Sequence, residues 1–96
     1  MSKLTKLARG RECQVRLPCC NHNPETTVLA HFRLAGICGI GMKPHDILGA
    51  WACSACHDEI DRRTRLFPLE FVRLAHAEGV IRTINIATKE GVINVN

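Results

Sequence analysis

Large aromatic side chains are scarce in this 96-residue chain: Trp51 and three phenylalanines make up 4% of it. A chain this short and this poor in bulky residues buries a modest core, so a covalent or metal crosslink is expected to support it. No apolar run approaches the length needed to cross a bilayer, and no membrane role is expected. The basic stretch from Met1 to Arg9 is not followed by seven or more apolar residues, so no signal peptide is visible and a cytoplasmic protein is expected. Internal repeats and low-complexity segments are lacking, and residues 1–96 read as one domain. Charge of one sign is only slightly in excess. A net charge of +4 is compatible with a nucleic-acid partner and does not demand one.

What the chain does have is cysteine, six in all. In a reducing compartment such clusters bind metal more often than they form disulfides. Cys53-Ser54-Ala55-Cys56 has the spacing that lets a backbone fold round a metal and present two thiolates to it. Cys13, Cys19 and Cys20 lie upstream and can supply the rest of a zinc tetrahedron. The reading preferred here is Cys13, Cys20, Cys53 and Cys56 round one structural zinc, with Cys19 competing with Cys20 for its place. The alternative is that the upstream cysteines are small buried hydrophobes. Cys38 is most simply a free thiol. With His57 following, the knuckle also matches a c-type haem attachment pattern, which the extra cysteines argue against.

The pattern along the chain is mixed, giving an α+β expectation. Ser2 to Arg9 predicts a short amphipathic helix ended by Gly10. Gln14 to Leu17 alternates like a strand, Asn21 to Glu25 reads as a turn, and Thr26 to Phe32 reads as a strand that carries His31 near its end. Ala35 to Asp46 is a glycine-rich loop. Asp58 to Leu66 is helix-compatible; Pro68 opens another helix, closed by Gly79. The tail from Ile81 to Val95 alternates and predicts a β-hairpin about Gly91.

These residues resemble a known family. Cys-x-x-Cys-His opening a helix, with an upstream strand ending in histidine, is similar to the HNH (ββα-metal) endonucleases, whose domains are treble-clef-like. The phrases Asn23-Pro24-Glu25-Thr26-Thr27-Val28-Leu29-Ala30-His31, Lys43-Pro44 and Trp51-Ala52-Cys53-Ser54-Ala55-Cys56-His57-Asp58 more closely resemble the small nucleases of lambdoid phages and prophages. The resemblance spans roughly residues 10 to 65.

It implies a metal-dependent DNA endonuclease acting in phage or prophage recombination or processing. His31 would be the general base that takes a proton from the attacking water. His57 would hold a catalytic Mg²⁺ or Mn²⁺. Asp46 and His45 are the candidates for the middle element that orients the base. Where many members carry a metal-binding residue directly before the base, this chain has Ala30, so either Asp46, His45 or His22 reaches in as a substitute ligand or the metal is held weakly through water. Arg33 and Lys43 would form a cationic rim. Arg62, Arg63 and Arg65 would meet phosphates from the helix after the knuckle, with Asp61 four residues from His57 holding its imidazole. A second reading, from another class, is a non-catalytic zinc module that binds DNA or a recombination protein. On residues alone, His31 also fits a buried core histidine, and His76 fits a solvated or half-buried helix position.

Overall fold

The computed structural model describes residues 3–37 and 44–93. The chain folds as a small α+β protein. Helix α1 (Lys3–Lys6) leads through irregular chain to strand β1 (Val28–His31). Strand β2 (Gly49–Ala52) follows, then helix α2 (Ser54–Ile60) and helix α3 (Leu69–Lys89). The strands pair antiparallel, with Val28 opposite Ala52 and His31 opposite Gly49.

Strand β2 is buried along its whole length. Its alanines, Ala50 and Ala52, are small enough for α3 to lie directly across it, and they join Val15, Leu17, Ala30, Val72 and Val80 in one core cluster. Trp51 points into a second cluster with Leu4, Ala8, Leu29 and Ala87. It is fully buried, its Nε1 donates to the Leu4 carbonyl at 3.0 Å, and its backbone N–H donates to Thr83 Oγ1 at 3.0 Å. One residue thus ties α1, the sheet and α3 together. Truncating a buried tryptophan costs about 3–5 kcal/mol, a large share of a small protein's stability.

The tail corrects the sequence reading most. The expected β-hairpin from Ile81 is not formed: α3 runs unbroken through Gly79 to Lys89. Its buried residues Val72, His76, Gly79, Val80, Thr83 and Ala87 follow the helical period. The β-branched residues here pack a helix face against β2, and tertiary packing outweighs their strand propensity. Gly79 serves close approach, since a Cβ there would meet Val15 Cγ2 at 3.0 Å and the Gln14 carbonyl at 3.2 Å. Asn94 and Val95 of the expected hairpin lie outside the described residues.

Four further boundaries move. Gln14 to Leu17 is irregular, with Arg16 at φ 58°, and Gln14 N–H bonds the Trp51 carbonyl at 2.7 Å. The second strand lies downstream of the glycine-rich loop, at Gly49–Ala52, where the sequence signal was masked by small residues. The helix after the knuckle starts earlier, at Ser54, and stops at Ile60 instead of reaching Leu66. It stops because Arg62 turns into the left-handed region (φ 60°) and Glu59 gathers the next loop. The buried Glu59 carboxylate accepts from Thr64 Oγ1 at 2.6 Å and from the N–H groups of Leu66 and Phe67 at 3.1 and 3.0 Å. The N-terminal helix is shorter than expected as well.

Candidate functional site

Four thiols converge at one end of α2. The sulfur atoms of Cys13, Cys20, Cys53 and Cys56 all lie within 4.8 Å of one another, and Cys20 and Cys53 are 3.7 Å apart. Cys53 caps α2, its sulfur accepting from the Cys56 N–H at 3.4 Å. Zn–S bonds of 2.3 Å set tetrahedral S···S edges of about 3.8 Å, close to this spacing. Cys19 is not one of these four, its sulfur lying 3.9 Å from the Ala55 carbonyl. The four sulfur atoms are electrostatically coupled. The thiol of Cys56 donates to Cys13 and pulls its pKa down to about 4, while burial pushes Cys20 up to about 11. Cys56 is driven up by the same bond to Cys13. Four thiolates can coexist here only round a cation, so the donor set fits a metal ion such as zinc. Cys38 lies outside the described residues.

The other end of α2 faces a concavity of 520 Å³ lined by His31, Arg33, Asp46, His57 and Asp61 together with Thr5, Val28 and Leu29. Its histidines come in two pairs with carboxylates. His31, at the end of β1, has Nε2 2.7 Å from Asp46 Oδ1. His57, in α2, has Nε2 3.3 Å from Asp61 Oδ2, as its spacing of four on a helix dictates. A carboxylate accepts, so in the first pair Nε2 carries the proton and Nδ1 is left as the basic nitrogen.

Local chain geometry delivers Asp46. The turn Asp46–Leu48 folds back over Leu29 because Gly49, opposite His31, has no side chain. A Cβ at Gly49 would lie 2.7 Å from the Leu29 side chain and 3.2 Å from the Asp46 carbonyl. The second carboxylate oxygen of Asp46 accepts from Thr5 Oγ1 at 3.3 Å, so α1 helps fix it.

Of the residues named as substitutes for a ligand at Ala30, only Asp46 reaches His31. His45 is exposed, and its side chain makes no capping bond to the turn it precedes. His22 lies at the thiol end, its Nδ1 3.8 Å from Cys20 Sγ. Ala30 itself is 2% exposed and belongs to the core cluster. His76 departs from its expected half-buried or solvated setting. It is 4% exposed, and its Nε2 donates to the Ala30 carbonyl at 2.8 Å. Burial holds its pKa below the usual histidine value. A signal for this was present: His76 lies four residues from both Val72 and Val80, on the buried stripe of α3.

Among the basic residues, Arg33 lines the concavity. Arg62 is engaged by the Phe67 carbonyl and Glu59, and Arg63 by Asp58 and Asp61. Arg65 is exposed, and Lys43 lies outside the described residues. Arg73, unnoticed in the sequence, sits beside Arg33, with Nη2 3.3 Å from its carbonyl.

With these centres in view, comparison with known proteins is informative. Residues 2–92 match the family model described as "Putative nuclease YbcO". The chain belongs to the YbcO family. It is 58% identical over 94 residues to the "Putative nuclease YbcO" of Escherichia coli (strain K12), covering 97% of this chain and 98% of that one. It matches "Putative nuclease ybcO" of Enterobacteria phage 82 with the same identity and coverage. A solved structure described as "Structure of a putative bacteriophage protein from Escherichia coli str. K-12 substr. MG1655" is similar, with a TM-score of 0.80 and 54% identity over 92% of this chain and 99% of that chain. The resemblance to small phage and prophage nucleases thus corresponds to a family that carries nuclease in its name. Among the described residues, no helix is long and apolar enough to cross a membrane.

Proposed function

We propose that this YbcO-family chain is a metal-dependent DNA endonuclease of the HNH (ββα-metal) type, acting in phage or prophage DNA recombination or processing. Residues 1–96 act as one treble-clef-like domain in the cytoplasm, with Cys13, Cys20, Cys53 and Cys56 holding a structural zinc. The observation that carries the reading is the shared concavity: a histidine at a strand end, fixed by Asp46, faces His57 on the helix that the cysteine knuckle caps.

His31 Nδ1 takes the proton from the attacking water. Asp46 orients the ring and stabilises the imidazolium that forms, as a carboxylate partner does for a histidine base. His57 would hold the divalent ion, with Asp61 orienting its ring. When bound, Mg²⁺ or Mn²⁺ supplies charge stabilisation to the phosphodiester and its leaving oxygen. Arg33 adds positive charge beside the reacting phosphate; Lys43, Arg65 and, in part, Arg62 and Arg63 extend the cationic surface.

One observation favours the competing reading, a zinc module that binds DNA or a recombination protein without cutting. Ala30 offers no ligand, and it is packed into the core instead of facing the concavity. Incubation of the protein with plasmid and single-stranded DNA, with and without Mg²⁺ or Mn²⁺, separates the two. Cleavage that requires the added ion is expected. DNA binding with no cleavage of either substrate would favour the module.

A further inference from the structure

Beside the catalytic concavity lies a smaller hollow of 140 Å³ that shares His31, Arg33 and Asp61 with it and is walled by Val72, Arg73 and His76 of α3. Arg73 is fixed there from two directions. Its guanidinium lies over the Phe32 ring, 4.5 Å from the centroid, and its Nη2 donates to the Arg33 carbonyl at 3.3 Å. The Phe32 ring packs in turn against His76, with centroids 5.0 Å apart, and His76 holds the Ala30 carbonyl. Helix α3 therefore grips the chain on both sides of His31.

A guanidinium already ordered by stacking and a backbone bond loses little freedom when it meets an anion. The one carboxylate lining the hollow, Asp61, is paired with Arg63, whose guanidinium offsets its charge. Two arginines, Arg33 and Arg73, thus line a space that opens beside the base.

We propose that Arg73, together with Arg33, binds a backbone phosphate adjacent to the one cleaved. The inference rests on the nuclease reading above. Such a contact carries no base specificity; it fixes the register of the strand against His31.

The test is binding of a labelled short duplex and single strand without added Mg²⁺ or Mn²⁺, over a series of salt concentrations. Arg73→Gln should weaken binding about 10-fold, as expected for one lost charge-assisted contact. It should also lower the salt slope by about one. Arg73→Lys should keep most of the slope. Arg73→Met retains the stem over Phe32 and replaces the glutamine variant if that one does not fold. A neutral methylphosphonate stepped along the DNA should weaken wild-type binding at one position next to the cleavage site, and should cost the Arg73→Gln protein nothing further there. A folded Arg73→Gln or Arg73→Met protein with unchanged slope and affinity would overturn the clamp while cleavage by the wild type left the nuclease reading standing. Competition by inorganic phosphate in the wild type alone, with no sensitive methylphosphonate position, would assign a free-phosphate site and overturn it too. Wild-type protein that neither binds nor cleaves DNA would overturn both readings.

Discussion

The two ends of α2 differ in kind. At one end, four sulfur atoms are drawn from distant parts of the chain into a cluster with three buried members. At the other, two histidine–carboxylate pairs line an open concavity, each pair joined by a single contact. The first arrangement exists only if the chain around it is folded, because Cys13 and Cys20 come from irregular segments with little regular structure of their own. The second hangs on elements that already pack through Trp51, Ala50 and α3. The difference teaches that the same short helix can carry a part that maintains the fold and a part that the fold merely presents.

The largest break is expected at the thiol end. Cys56→Ser should release the metal and abolish the cooperative thermal transition, because folding and metal binding are one process in small zinc domains, with apparent binding free energies of about 10–16 kcal/mol. Metal analysis beside a melting curve checks this; a full metal complement and an unchanged transition would remove the contrast. At the open end, Asp46→Asn should lower cleavage about 10–100-fold, the usual effect of losing a carboxylate behind a functional histidine. Its melting curve should scarcely move. A fall in stability without a fall in rate would make Asp46 a structural residue instead.

The smallest effect concerns pH. His76 is held neutral by burial, with Arg73 and His57 opposing its protonation and Asp61 and the Ala30 carbonyl favouring it. Its folded-state pKa lies below the unfolded one. The stability it confers is therefore complete above about pH 6.5 and is lost as pH falls through the folded value. Thermal melts across that range should show a declining midpoint, and His76→Gln, which can still donate to Ala30 without titrating, should flatten the decline. An identical slope in both proteins would assign the effect to other groups. Glu59 adds to acid sensitivity lower down. Burial opposes its ionisation, yet the bonds from Thr64, Leu66 and Phe67 hold its pKa below the ordinary carboxylate value.

Much of the contrast is legible in the chain itself. The Cys-x-x-Cys spacing is set by how a backbone turns round a metal, so Cys53 and Cys56 announce each other. Of the β-branched and apolar run from Thr26 to Phe32, Val28–His31 forms the strand that it suggests, and Thr26 closes the turn before it. Other features depend on contacts between distant segments. Strand β2 is made of glycine, alanine and one tryptophan, which carry no strand signature until α3 covers them. The isoleucines and threonines of the tail look like strand residues, and only the stripe from Val72 to Ala87 shows that they belong to a helix. Glu59 reads as one charge among several in a solvated helix. Its place three residues after Cys56 puts it on the buried face, where it organises the following loop. Asp46 was one of several candidates in a loop, and choosing it over His45 requires the close approach that Gly49 permits.

The most direct test of the account measures bound zinc, melting temperature and DNA cleavage on the same preparations of wild type and His31→Ala. The expected result is the same zinc content and nearly the same melting temperature in both, with cleavage lowered by about 10²–10⁴-fold in the variant. Retained cleavage, or zinc and fold lost together when His31 is removed, would contradict the separation of a structural end from a chemical one.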